Sequence, residues 1–389
     1  MKSRILVYGV DSFMGALTSR SAMRAGLSHV AAGRNIAPVA QHAAALAREA
    51  APDGGAPVPL AEPRTFSLGN TGRIASQLDD VGVLVNCTTL NGKDLATLID
   101  ACMATGTHYL DLGAGRDNVA ALVAQDERAK EAKVMLMAGA GFDFAAADAV
   151  AARLAFILPA ARAVRLAVKR SVLTADEARR LVAALREPGE TVKNGQIVPA
   201  KAGEKTIEID FDKGPETAWL APWRGEAMAA RHRGGYSTIE TYEVLPEAAA
   251  RALEPGTWAH RFFRRGWGLK RLERKLARGR LSPTSEELKR GRAAIWGEAR
   301  TPDGVIRRAR LETPSPHLYS ADAAILLARR AMAAEGGAKT GFQLPSAIGG
   351  AALVEDIPGC VWREIVDSET NAGAEAEMPV ALNMQAGSA

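Results

Sequence analysis

The stretch "RILVYGVDSFMGALTSR", residues 4–20, decides the fold. An apolar run, Ile5, Leu6 and Val7, is followed by Gly9, and a helical pattern begins at Gly15. A strand feeding a glycine turn and then a helix is the opening unit of a nucleotide-binding parallel sheet. There the first glycine makes the bend, the second lets backbone approach a pyrophosphate, and the third lets helix and strand pack closely. Gly9 and Gly15 hold the outer positions, and Ser12 stands where the middle glycine is usual. Its hydroxyl is small enough for the turn and offers a hydrogen bond to a phosphate oxygen. Free N–H groups at the helix start add to the attraction. Alone, a pair of glycines this far apart is a weak signal and fits a plain turn.

The surroundings strengthen it. Strand candidates Ile5–Tyr8, His29–Ala32, Val81–Asn86, His108–Leu112 and Val134–Met137 alternate with helical stretches Gly15–Ala25, Val39–Ala50, Gly92–Thr105 and Asn118–Glu131. That alternation predicts a parallel sheet covered by helices on both faces. Residues 51–63, rich in Pro and Gly, read as a surface loop. "VAAGRN", residues 30–35, closes the second strand without the acid that would read the ribose hydroxyls of NAD. Arg34 and Asn35 stand there instead, and a cation at that place suits the 2′-phosphate of NADP.

Beyond residue 160 the pattern changes. Thr174 and Glu177 have the spacing of a capping box before a helix. Asn194-Gly195 and Asp303-Gly304 mark hairpin turns, and "EKTIEIDF" alternates apolar and polar residues. The expected fold class is α/β: an N-terminal Rossmann doubly wound parallel sheet plus a mixed α+β second domain. The expected boundaries are 1–145 for the Rossmann domain and 146–315 for a substrate and dimerisation domain. Residues 316–365, with a helix capped by Ser320, are expected to return to the Rossmann domain, and 366–389 to form a tail.

Composition bounds the function. Of 389 residues, 47% are hydrophobic and 24% charged, as in an ordinary globular protein. Cys87, Cys102 and Cys360 are scattered, which excludes a disulfide framework and a structural zinc site and suits a reducing compartment. No metal site is expected. No leader or membrane span is read from the sequence, so the expected location is cytoplasmic.

Several stretches together resemble the saccharopine dehydrogenase-like superfamily of NADP-binding oxidoreductases. More narrowly, they resemble its branch of trans-acting enoyl reductases and saccharopine-dehydrogenase-like oxidoreductases. They are "VYGVDSFMG" and "AAGRN", residues 83–115 ("VLVNCTTLNGKDLATLIDACMATGTHYLDLGAG"), residues 135–151 ("MLMAGAGFDFAAADAVA") and "GFQLPSAIGG". The chain departs from that pattern at Ser12, at Phe144 and Ala146 after Gly-Phe-Asp, and at Gly113-Ala114-Gly115. Apart from Ser12, these departures fall where nicotinamide and substrate are expected to meet.

The resemblance implies NADP(H) as cofactor. Gly9, Ser12, Phe13, Met14 and Gly15 would wrap its pyrophosphate, and Arg34 and Asn35 its 2′-phosphate. Asn86, Cys87 and Thr88 would border ribose and nicotinamide, with Asp111 and Asp143 on the same rim of strand ends. Cys87 has no basic neighbour to activate it, His108 reads as a structural hydrogen-bonder, and Asp143 fits a helix N-cap. The catalytic group is not identified. Proton-donor candidates are His232 and Tyr236, with Tyr242 and Tyr319 behind them, and Asp143, Trp223 and Arg224 are candidate pocket residues.

"RFFRRGWGLKRLERKLARGR", residues 261–280, holds nine Lys/Arg and one Glu. Leu269, Leu272 and Leu276 share a helical face, so the stretch reads first as a solvated amphipathic helix. It would also suit docking of an acidic acyl carrier protein or an anionic membrane surface; no nucleic-acid motif accompanies it. The expected activity is NADPH-dependent hydride transfer to an activated C=C bond of a small or carrier-bound substrate, by a homodimer. The alternatives are imine or amino-acid reduction, and a non-catalytic protein with a degenerate Rossmann fold.

Overall fold

The computed structural model describes residues 2–50, 61–113, 115–170, 173–185, 187–211, 214–225, 235–254, 266–277, 282–333 and 339–364. The first sheet is parallel. Its strands are β1 (Arg4–Tyr8), β2 (His29–Gly33), β3 (Ala61–Thr65), β4 (Val81–Asn86), β5 (His108–Asp111) and β6 (Met135–Met137). They lie in the order β6-β5-β4-β1-β2-β3, so the strand order reverses between β1 and β4 while the strands stay parallel. All six residues of β4 are buried, as expected of a strand covered on both faces.

The edge strand β3 corrects the expected loop over 51–63. Ala61–Thr65 pairs with β2, and Pro63 is tolerated because an edge strand has an unpaired side for a residue without an N–H. Residues 51–60 lie outside the described set. The expected helix Asn118–Glu131 is two, Arg116–Val123 and Asp126–Glu131.

The second sheet is mixed. It holds β7 (Ala163–Lys169), β8 (Gly189–Lys193), β9 (Gln196–Ala200), β10 (Thr206–Asp210), β11 (Pro215–Leu220), β12 (Thr238–Glu243), β13 (Arg292–Arg300) and β14 (Ile306–Pro314). Only β7 and β12 run parallel among its named pairs. The Asn194-Gly195 turn joins β8 to β9 with both residues at positive φ, 51° and 76°, the conformation such a two-residue hairpin needs.

The C-terminal segment serves both sheets. Helix Pro316–Ala333 packs on helix Phe13–Arg24, and β15 (Gly341–Phe342) extends the parallel sheet beside β6. β16 (Val361–Glu364) then pairs with β14 in the second sheet, so 316–365 does not return wholly to the Rossmann domain. Ser320 is not the helix cap. The helix starts at Pro316, whose fixed φ suits a first position, and Ser320 Oγ accepts from Phe142 N at 2.8 Å.

Helix Phe142–Ile157 joins the halves. Phe144 sits in the core of the first domain, while Ala145, Ala146, Val150 and Leu154 pack under the second sheet. Asp148 Oδ2 accepts from Ser346 N at 2.6 Å and ties the helix to the C-terminal segment. Helix Gly266–Ala277 of the basic stretch buries Leu272 against helix Ala175–Ala184 and exposes Trp267, Lys270 and Arg274. Residues 261–265 and 278–280, and the side chains of Leu269 and Leu276, lie outside the described set. Among the described residues no helix is long and apolar enough to cross a membrane.

Gly297 of β13 marks where the bridging helix crosses closest. A Cβ there would meet Val150 Cγ1 at 2.6 Å and Leu154 Cδ1 at 2.8 Å. Gly297→Ala is therefore expected to destabilise the fold by about 1–3 kcal/mol through overpacking. Urea unfolding measures it, and an unchanged midpoint would show that the helix can move aside.

Candidate active site

The turn after β1 is built for close approach. Gly9 has φ +89°, and a Cβ on it would overlap the Thr88 methyl. A Cβ on Gly15 would overlap the Gly9 carbonyl. Ser12 is not left free for a phosphate, as the sequence suggested. Its Oγ donates to Gly9 O at 2.7 Å and accepts from Gly15 N at 3.1 Å, so it caps helix Phe13–Arg24. What the turn offers an anion is the helix N-terminus, where Phe13 and Met14 stand in the first turn and their N–H groups have no intrahelical acceptor.

The strand ends beside it form a rigid rim. Asn86 Nδ2 donates to Thr88 O, Tyr109 Oη and Asp111 Oδ2, and Asn86 Oδ1 accepts from Thr88 N and Oγ1. Asp111 also accepts from Tyr109 Oη at 2.6 Å and Gly113 N at 2.7 Å. Burial raises its pKa against these hydrogen bonds. Asn86 and Asp111 thus hold the rim in shape. Burial also pushes the Cys87 thiol up to about 12, so it stays protonated. His108 Nδ1 accepts from Met135 N at 3.0 Å, a structural role. Arg34 and Asn35 stand exposed past the end of β2.

Facing the turn is a buried ionic network drawn from four parts of the chain. Arg170 Nη2 lies 2.7 Å from Asp143 Oδ1, and its Nε lies 3.0 Å from Glu243 Oε1. Arg224 Nη2 donates to the Asp143 carbonyl, and its Nη1 lies 3.9 Å from Glu243 Oε2. Glu177 Oε2 is 3.2 Å from His317 Nε2, and the His317 ring meets Phe13 edge-on at 5.4 Å. The network thereby touches the Gly9–Gly15 turn. Burial opposes the charge of Arg170, but Asp143, Glu243 and Glu177 outweigh it and raise its pKa. Burial likewise pushes Glu177 up, yet His317 and Arg170 outweigh it and hold the carboxyl at about 2.

Of the pocket candidates, Asp143 and Arg224 meet here. Asp143 is not an N-cap, since Gly141 caps that helix, and its side chain keeps 45% of its exposure. Trp223 packs half-buried against the cluster around Leu272, and the chain crosses to the first domain where Gly115 bridges to Arg224. Tyr236 is buried in the second core with its hydroxyl donating to Ala151 O at 3.0 Å. That is about 12 Å along the helix from Asp143 at 1.5 Å per residue, so it cannot serve the same centre. Tyr242 bonds Glu240, and Tyr319 is buried against Phe142. His232 and Ala114 lie outside the described residues. Phe144 and Ala146, expected near the nicotinamide, are core residues. Among the described residues no group of three His, Cys, Asp or Glu could hold a metal ion.

Sequence reasoning missed Arg170, Glu243 and His317, and it placed Glu177 only as a helix cap. The carboxylate does cap, accepting from Thr174 N at 2.6 Å, and the same oxygen faces His317.

Comparison with known proteins adds the fold. No protein-family model and no curated protein matches the chain. Among solved structures it is similar to the apo saccharopine dehydrogenase (L-Glu forming) of Saccharomyces cerevisiae. The TM-score is 0.59 at 12% identity, over 93% of this chain and 99% of that one. The expected saccharopine-dehydrogenase-like fold is therefore the one the chain has. A meso-DAP dehydrogenase mutant from Clostridium tetani follows at TM-score 0.44 and 14% identity, over 91% and 97% of the two chains. A short-chain dehydrogenase from Sphingobium yanoikuyae in complex with NADPH matches 35% of this chain and 70% of its own, at TM-score 0.27 and 14% identity.

The Glu177 carboxyl has a testable cost. Its folded pKa lies below the ordinary 4.5, so its contribution to stability is complete above about pH 4.5 and is lost as pH falls toward 2. Glu177→Gln is expected to remove on the order of 2–3 kcal/mol at neutral pH and flatten stability across that acid window. Denaturation at pH 7, 4 and 3 measures both, and parallel losses at all three would refute it.

Proposed function

We propose that the chain is an oxidoreductase that takes NADPH at the Gly9–Gly15 turn and directs hydride to an activated C=C bond. The observation that carries this is the turn itself: glycines stand where a Cβ would collide, and Phe13 at the helix start meets His317 of the charged network. This supports a working dinucleotide site rather than a degenerate one. The Phe13 and Met14 amides would take the pyrophosphate, Arg34 and Asn35 the 2′-phosphate, and Cys87 and Thr88 would border ribose and nicotinamide. The bound cofactor supplies the hydride.

The chain's own part is positioning. Asp143 is the network carboxylate that meets the cleft, with Arg170 behind it fixing one oxygen. It is placed to hold a hydrogen-bond donor of the substrate or a proton-delivering water. Among the described residues, Arg170 and Arg224 each lie against a carboxylate, Arg170 against Asp143 and Glu243 and Arg224 against Glu243. A substrate with free carboxylates would compete for those arginines at a cost. That favours an uncharged acyl group over the oxo-acid and amine of an imine reductase.

Calorimetric titration of NADPH tests the cofactor, and oxidation followed at 340 nm with an α,β-unsaturated acyl thioester tests the reaction. Turnover with the thioester is expected. Turnover only with a 2-oxo acid and an amine would move the assignment to imine reduction, and NADPH binding without any turnover would leave a nucleotide-binding protein. Asp143→Asn is expected to lower kcat by about 100-fold, a usual loss for a proton-handling group, with NADPH affinity kept. An unchanged kcat would remove Asp143 from the mechanism.

A further inference from the structure

The end of β2 holds more than Arg34. Gly33, its last residue, has Asp11 lying against it: a Cβ on Gly33 would sit 3.2 Å from Asp11 Oδ1 and 2.9 Å from Val39 Cγ2. Glycine is thus what leaves room for this carboxylate. The placement is pinned by backbone, since Gly9 N and Val10 N both donate to Ala32 O, at 2.7 and 3.1 Å. Asp11 therefore comes from the turn, not from β2, to the spot where dinucleotide sites keep the acid that reads the ribose diol.

Arg34 follows Gly33 directly, and both Asp11 and Arg34 are exposed. Both act on the buried Tyr8 hydroxyl, whose pKa burial raises, Arg34 lowers and Asp11 raises. Among the described residues neither Asp11 nor Arg34 has an ion pair; Arg34 hydrogen-bonds the Tyr8 hydroxyl, and both side chains are exposed, so one small region holds a carboxylate and a guanidinium at the surface. Their chemical preferences are opposite. A carboxylate accepts from the 2′- and 3′-hydroxyls of NADH and repels a 2′-phosphate. A guanidinium binds that phosphate and has little to gain from the diol.

We propose that Asp11 is a specificity-determining residue which opposes Arg34, so that the site binds NADH as well as NADPH and the two side chains set the ratio. This rests on the reading of the Gly9–Gly15 turn as a dinucleotide site. It also changes what the second-strand end means: the acid absent from "VAAGRN" is supplied by the turn that follows the neighbouring strand, β1.

The experiment is a set of dissociation constants for NADPH and NADH, by calorimetry on the full chain at fixed ionic strength. Wild type is expected to bind both. Asp11→Asn, which keeps shape and removes charge, is expected to tighten NADPH about tenfold, as removal of one partly solvated like charge near a phosphate should, and to weaken NADH. Arg34→Ala is expected to do the reverse. Raising the salt concentration should shrink the NADPH effect of Asp11→Asn. An Asp11→Asn ratio within twofold of wild type would overturn the role of Asp11, as would equal weakening of both cofactors with Arg34→Ala still shifting the ratio. Wild type binding neither dinucleotide would overturn the turn reading itself, and this proposal with it.

Discussion

A guanidinium cannot be buried alone, and Arg170 is buried between the two halves of this molecule. Removing its charge from water costs several kcal/mol unless carboxylates compensate. Asp143, Glu243 and Glu177 do so, and each arrives on a different element: the bridging helix, β12 and helix Ala175–Ala184. The requirement fixes more than one ion pair. It sets how the start of helix Phe142–Ile157 meets β12 of the second sheet. Removing one partner would leave an uncompensated charge, so the network tolerates few partial changes.

The parallel sheet was legible because its determinants are local. β1 and β4 are carried by apolar runs, Ile5–Val7 and Val83–Val85, and the glycines of the opening turn are spaced for one geometry. The capping box at Thr174 and the Asn194-Gly195 hairpin were legible for the same reason. β3 was not, because "AEPRT" has no apolar period and a single β-branched residue, Thr65, and it exists by pairing with β2. β16 was missed likewise: it is four residues long, and two helices, β15 and a 3-10 turn stand in the chain between it and its partner, β14.

The candidate site divides along the same line. Turn residues are neighbours in sequence, and a pattern finds them. Arg170, Glu243 and His317 are separated by most of a domain and come together only through strand order and the return of helix Pro316–Ala333. Tyr236 looked catalytic because aromatic and polar residues crowd around it in sequence. In the fold its ring supplies core volume and its hydroxyl satisfies a helix carbonyl. Phe144 looked like a change at the nicotinamide because it departs from the family's residue after Gly-Phe-Asp. It fills the space beside Gly139, where a Cβ would collide with it, and belongs to the packing of the first domain.

Ser12 shows how a departure from a motif can preserve its physics. A middle glycine leaves backbone open to a phosphate but contributes nothing to the helix end. Ser12 satisfies the Gly15 amide and the Gly9 carbonyl, which stiffens the turn, and a capping hydroxyl of this kind is worth about 1 kcal/mol. The amides that remain at the helix start are those of Phe13 and Met14. Phe13 also bears on His317, which bears on Glu177. The first residue of helix Phe13–Arg24 is therefore in contact, through His317, with the charged network around Arg170. Serine at the middle position leaves the helix its free N-terminal amides and rests the turn on the same scaffold that holds Arg170.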